Sequence, residues 1–235
     1  RAVAGAVLSL AVTSSTAVVG VAVGPAGGEA LSFNQVSTDR RHAEELTPLI
    51  ASTVAAAGVS LTDIEQYVVD VGPGRFTGLR VGLATVRALA LATGRPVIGM
   101  TSLETLAAGE VQAPGPVLAV IDARRAEVFQ QRFEITAGAG SDPAFGSSPS
   151  LVGRPEGLAP DWESAEAESL VIVGDGADRY GELYGPRVVP DRAPSAAVMV
   201  TISGHRAAVP GSEVSPLYLR DPDVNINVKT RHTPR

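Results

Sequence analysis

The run Val71-Gly72-Pro73-Gly74-Arg75-Phe76-Thr77-Gly78-Leu79-Arg80-Val81-Gly82 is the part of this sequence whose residue types and spacing come closest to chemistry. An apolar stretch at 66–71 leads into it, and an alanine- and leucine-rich stretch with helical spacing follows. Gly72 and Gly74 permit left-handed backbone or the close approach of another group. Thr77 reads as a helix N-cap, and the free N–H groups behind it offer a surface to an anion. Gly72, Gly74, Arg75 and Thr77 are therefore the candidate anion- or nucleotide-proximal turn. No Lys-Ser/Thr pair follows the glycines, so the turn is not a P-loop. A tight strand-to-helix turn with no ligand is the commoner use of such a pattern.

Other chemistry is sparse. The three histidines, His42, His205 and His232, form no His-x-x-x-His pair that could hold a metal on one helix face, and His42 reads as a surface residue at a helix start. Cysteine is absent, which excludes disulfides, thiolate nucleophiles and cysteine-ligated metals. Asp122 beside Arg124 and Arg125 suits a polar cluster between lobes, though a plain strand-end turn is the simpler reading. Glu163, Glu166 and Glu168 read as a solvated face.

These residues must be positioned by a chain of 235 residues, 45% hydrophobic and carrying a net charge of −6. The length suits one large domain or two small ones, and the negative charge argues against binding nucleic acid through a broadly basic surface. The uncharged stretch 2–28 is long enough for a membrane span or signal segment. Its central Thr13-Ser14-Ser15-Thr16, its alternating valines and its Gly24-Pro25 break favour a buried hairpin, with strands at 7–12 and 17–23. A strand at 29–36 and a helix at about 38–57 follow, kinked or restarted at Pro48. After the strand at 66–71 the pattern gives a helix at 78–93 stopped by Gly94, a strand at 97–100 and a short helix at 103–108. Ala113-Pro114-Gly115-Pro116 reads as a boundary between lobes. Strands at 117–121 and 127–135, a loop at 136–150, a strand at 170–173 and a weak helix to 184 follow. The stretch 215–219 reads as a last strand returning to the first lobe. The sequence shows no internal repeat, and 198–203 is more β-branched than a helix prefers.

In the 78–93 helix, Gly78 and Gly82 lie four apart with Val86 and Ala90 continuing their face, and Leu79 and Leu83 run beside them. Small residues at that spacing let a second helix approach closely. Its partner is either the first helix of this chain, through Leu46, Leu49 and Ile50, or a helix of another protein. Packing within the chain is the commoner case.

The 71–82 run, with Arg41-His42-Ala43-Glu44-Glu45-Leu46-Thr47-Pro48-Leu49-Ile50 before it and Ile121-Asp122-Ala123-Arg124 and Pro216-Leu217-Tyr218-Leu219-Arg220 after it, resembles the TsaB (YeaZ) family. The resemblance implies an α/β, actin-like ATPase (ASKHA, ribonuclease H-like) fold in two lobes, each a mixed sheet flanked by helices. The lobes are expected at 1–112, with 213–220 returning, and at 113–212, with 221–235 a disordered tail. It further implies a cytoplasmic, non-catalytic subunit in the synthesis of threonylcarbamoyladenosine next to the tRNA anticodon. That subunit would pair with a TsaD-like catalytic subunit and a TsaE-like ATPase, and as a homodimer when alone. It would meet tRNA only through the complex and involve no membrane. Leu46, Leu49, Ile50, Gly78, Leu79, Gly82, Leu83 and Val86 are then the expected partner interface. No cofactor is expected on this chain alone, and ATP and Mg²⁺ would belong to the complex. One departure stands out: the superfamily's first strand usually ends Asp-Thr-Ser/Ala, and Val12 occupies the position of that metal-holding Asp. A valine cannot ligate Mg²⁺. The competing reading is a small-molecule kinase or ATPase that uses the 72–78 turn.

Overall fold

The computed structural model describes residues 6–38, 41–109, 115–136, 144–160, 169–204 and 206–220. A first sheet is built from β1 (Leu8–Thr13), β2 (Val18–Pro25), β3 (Ser32–Ser37), β4 (Gln66–Asp70) and β5 (Val97–Met100). Its order is β3-β2-β1-β4-β5, with β1–β2 and β2–β3 antiparallel and β1–β4 and β4–β5 parallel. The uncharged start is thus the hairpin that its alternating valines predict. β1 is central and nearly all buried, so it reads as a continuous apolar run, whereas β3 at the edge alternates half-buried and exposed positions.

Two helices cover one face. α1 (His42–Ala56) starts after Arg41, not at Thr38, whose Oγ1 instead accepts the Arg41 N–H at 3.0 Å. Pro48 lies inside this single continuous helix on its exposed side, so of the two expected alternatives the restart does not occur. α2 (Phe76–Thr93) begins two residues earlier than expected and ends at Gly94 as expected. By length and composition α2 could cross a membrane, but Leu79, Leu83, Val86 and Ala90 are buried, the last three in the core of this sheet.

A second sheet comprises β6 (Gly115–Arg124), β7 (Glu127–Thr136), β8 (Ala144–Ser147), β9 (Leu151–Gly153), β10 (Val171–Val173) and β11 (Val188–Val189). Its order is β11-β10-β6-β7-β8, with β9 also paired to β7. Two antiparallel steps through β6–β7–β8 and two parallel steps through β6–β10–β11 repeat the pattern of the first sheet. The expected loop at 136–150 therefore contains a strand, β8, that extends the sheet from the end of β7. Alternate residues of β6 face two cores. Val117, Ala119 and Ile121 pack with α3 (Ser102–Ala108), while Leu118 and Val120 lie in a cluster with Ala177 and Tyr184. Those two come from α5 (Asp175–Arg179) and α6 (Gly181–Tyr184), which follow the single turn α4 (Pro155–Leu158).

The β-branched stretch near 200 forms a helix after all. α7 (Ala196–Ile202) lays Ala196, Met199 and Val200, each fully buried, on the open face of the first sheet. Burial outweighs the small propensity penalty of its valines. This moves a helix that the expected boundaries give to the second lobe onto the first. The chain then returns along the first lobe as loop, not as the strand expected at 215–219. Val209 bridges Val97, and the Leu217 N–H donates to the Val71 carbonyl at 2.7 Å. The expected disordered tail at 221–235, the glutamates at 163, 166 and 168, His205 and His232 lie outside the described residues.

Candidate functional site

The glycine turn and the hydroxyl-rich β1–β2 turn are packed into each other. The Arg75 N–H donates to the Ser15 carbonyl at 2.6 Å, and Ser14 Oγ donates to the Gly78 carbonyl at 2.9 Å. A β-carbon on Gly74, Gly78 or Gly82 would overlap, respectively, the Ser15 carbonyl oxygen, the Ser14 carbonyl oxygen and Ser14 Oγ. The N-cap of α2 is Arg75, not Thr77, which is exposed within the first turn, and no side chain caps the helix. Protein carbonyls thus stand where the sequence allows an anion. Gly72 takes φ +94 and is buried, with its N–H donating to Asp70 Oδ1 at 2.8 Å. Val12 is fully buried in the core, with its Cγ1 3.7 Å from where a β-carbon of Gly82 would lie.

One strand over from Val12, β4 supplies a carboxylate that the sequence reading missed. Asp70 is 1% exposed. It accepts Thr13 Oγ1 at 2.9 Å, Ser15 Oγ at shorter range, and the Gly72 N–H. Burial pushes its carboxyl above the ordinary range, while hydrogen bonds from Ser15, Gly72, Thr13 and Ser102 oppose that rise. The Ser102 hydroxyl also lies 2.6 Å from the Pro73 carbonyl, so its single proton is shared between that carbonyl and Asp70. Asp70 therefore ties β1, β4 and the start of α3 into one polar knot. The available signal was an acid ending an otherwise apolar strand in a chain with four consecutive hydroxyls. His42 belongs to the same assembly and is not a surface residue: it is buried, and its Nε2 donates to the Thr16 carbonyl at 2.8 Å.

The expected interface residues are placed inside the chain. Leu46, Ile50, Gly78, Leu79, Gly82, Leu83 and Val86 are buried, and Leu49 packs partly buried at the edge of the same core. The glycine face of α2 thus receives the β1–β2 turn and His42, and Leu46 and Ile50 are spent in the same core. The outward surfaces of the adjacent α1 and α2 expose Pro48, Ala51, Ala55, Ala84, Ala88 and Leu91, the last 87% exposed.

In the second lobe the Asp122 N–H donates to Asp175 Oδ1 at 3.0 Å. Asp122 Oδ2 meets Arg179 Nη1 at 3.3 Å and Arg124 Nη1 at 3.5 Å. The sequence placed Asp122 and Arg124 together correctly, but Asp175 and Arg179 join them from α5. A cavity of about 560 Å³ between the lobes is lined in part by Gln35, Thr105, Asp175, Asp178, Asp191 and Arg192. Burial raises the carboxyls of Asp175 and Asp178, and the neighbouring Asp122 and Asp191 charges, respectively, add to that.

Two sheets of matching topology, each with helices packed on its faces, define the actin-like, two-lobed class of fold. The family model described as "TsaD: tRNA N6-adenosine threonylcarbamoyltransferase" matches residues 35–181. The tRNA threonylcarbamoyladenosine biosynthesis protein TsaB of Escherichia coli is 32% identical over 198 residues, 77% of this chain and 82% of that protein. An uncharacterized protein of Mycobacterium tuberculosis is 34% identical over 191 residues, 80% of each. Among solved structures, a Pseudomonas aeruginosa protein described as similar to peptidase YEAZ superimposes with TM-score 0.78 at 29% identity, covering 91% of this chain and 99% of that one. YeaZ from the same organism gives TM-score 0.75 at 28% identity, with 90% and 99% covered. The chain belongs to the TsaB (YeaZ) family.

Proposed function

We propose that the chain is a non-catalytic subunit of the machinery that makes threonylcarbamoyladenosine in tRNA. It pairs with a TsaD-like catalytic subunit in the cytoplasm, and a TsaE-like ATPase and tRNA join at the level of the complex. The relatives' names supply the pathway. The observation that carries the accessory role is the closed turn: Ser14 and Ser15 carbonyls fill the glycine approaches at 74 and 78, and buried Val12 replaces the expected acid. The residues present do not fit a nucleotide with its metal. Carbonyl oxygens repel phosphate, and a valine in place of the expected acid offers no metal ligand. ATP and Mg²⁺ therefore belong to the complex.

The partner face is the outer side of α1 and α2 rather than the buried glycine side. Exposed alanines at 51, 55, 84 and 88 allow close helix approach, with Pro48 and Leu91 adding apolar area. In the partner's absence this face can take a second copy of the chain. Ala84→Arg places a charge where the helices must meet, and a buried unpaired charge costs several kcal/mol. The variant is expected to melt within a few degrees of the wild type and to lose co-purification with the TsaD-like paralogue of its organism. A folded variant that binds with unchanged affinity would move the interface elsewhere.

A further inference from the structure

From the start of α2, along residues 218–220, to the β6–β7 turn runs a series of arginines and exposed aromatics. Arg80 stacks on Phe76 with its guanidinium 3.8 Å from the ring centroid, and its Nε donates to the Tyr218 hydroxyl at 3.1 Å. The Phe76 and Tyr218 rings lie 5.5 Å apart, yet they remain 41% and 40% exposed. Two residues on, roughly 7 Å along the chain, Arg220 meets Glu127 at 2.8 Å. Glu127 pairs with Arg124 across the β6–β7 turn. That turn holds Arg124, Arg125 and Ala126 at φ 64, 55 and 59, a left-handed run that glycine or asparagine would adopt with less strain. Arginine side chains are thus kept, exposed, where local backbone physics does not favour them.

Asp122 preorganises this edge. Its Oδ1 accepts the Arg124 N–H at 2.9 Å, and its Oδ2 faces the guanidiniums of Arg124 and Arg179. Arg75 from the first lobe and Arg124 from the second both act on the Asp175 carboxylate, which draws the two lobes' cations together. Arg124 and Arg179 pair with Asp122 and Arg220 pairs with Glu127, while Arg80 lies on the Phe76 ring and Arg125 is exposed at the β6–β7 turn, in a chain whose net charge is −6. Arginines are thus concentrated along this edge although the chain as a whole is negatively charged.

We propose that this strip contacts RNA in the assembled complex, with Arg124 and Arg125 on phosphates and the Phe76–Tyr218 pair offering its exposed ring surface to an unstacked base. Guanidiniums that track a backbone beside exposed rings are the chemistry of single-stranded RNA recognition. A protein partner is the other user of exposed Tyr, Phe and Arg. The strip rests on the reading of the chain as a subunit of a tRNA-modifying complex, so assembly and RNA binding are measured separately.

The probe is a fluorescent tRNA anticodon stem-loop with unmodified adenosine beside the anticodon, titrated against the complex of this chain with its TsaD-like paralogue at several salt concentrations. Assembly is read by size-exclusion chromatography. Arg124→Ala/Arg125→Ala is expected to weaken RNA binding about tenfold or more and to lower the slope of log K against log salt by about one to two, as loss of phosphate contacts requires. Tyr218→Leu is expected to weaken binding severalfold with the slope unchanged, because a stacked base carries no counterion. Both complexes are expected to elute as the wild type does. Unchanged RNA affinity in the double variant, or loss of the complex by either variant, overturns the proposal, the latter by assigning the strip to protein contact. If the wild-type chain does not assemble, the subunit reading fails. The titration on the chain alone then decides the strip: binding lost in the double variant supports it, and absence of wild-type binding overturns it.

Discussion

Asp70 sits where β1, β4 and α3 converge, and its environment makes a signed prediction. Burial outweighs the hydrogen bonds to the carboxylate and holds the folded-state pKa above the ordinary aspartate value. A raised acid contributes stability that is fully present below about pH 4 and is lost as pH rises through the folded value. Asp70→Asn keeps an oxygen for the Gly72 N–H and removes the charge. Urea midpoints measured from pH 4 to pH 8 are expected to fall less steeply with pH in the variant than in the wild type, and equal slopes would contradict this account. The stretch Gln66–Asp70 shows only an acid ending a mostly apolar strand, and the hydroxyls that complete the signal lie more than fifty residues earlier, at Thr13 and Ser15. Val12 was legible for the complementary reason: an apolar residue where an acid is expected excludes ligation whatever surrounds it. The candidate anion turn was legible as a turn. Its filling was not, since Ser14 and Ser15 reach it from more than fifty residues away in sequence.

At the scale of elements, local pattern carried the strands and helices that local physics dominates. The hairpin of β1 and β2, the strand β5 and the Gly94 stop of α2 follow from valine alternation, Gly-Pro punctuation and a left-handed cap. α7 did not follow, because its valines are helical only by virtue of the sheet they cover. β8 did not follow either, because the pairing that makes it a strand comes from β7. Met199 is fully buried between α7 and the first sheet. Met199→Ala is expected to destabilise the chain by about 2–5 kcal/mol, read as a lowered urea midpoint. A change within about 0.5 kcal/mol, ordinary for a surface site, would mean that α7 does not anchor the first lobe. The same logic separates the two sides of α2. Substitution at buried Gly82 tests folding, whereas substitution at exposed Ala84 tests association.

At the scale of the molecule, the two sheets share one topology although the sequence shows no repeat. Strand order is fixed by connection and burial, which many unrelated side-chain sets satisfy. The equivalent turns of the two lobes differ: the first lobe's turn is packed against the glycine turn, and the second lobe's turn displays arginines. The proposed accessory role rests on the first lobe's glycine turn, filled by Ser14 and Ser15, and on the exposed alanines of α1 and α2. The most direct test is reconstitution of threonylcarbamoyl transfer to tRNA from purified components. The TsaD-like paralogue, the TsaE-like ATPase, a threonylcarbamoyl donor and unmodified tRNA are combined with wild-type chain, with the Ala84→Arg variant, or with neither. The account predicts product only with the wild-type chain, and neither product nor ATP hydrolysis above a blank from the chain alone. Transfer at full rate without the chain, or ATP turnover by the chain alone that scales with its concentration, would contradict it.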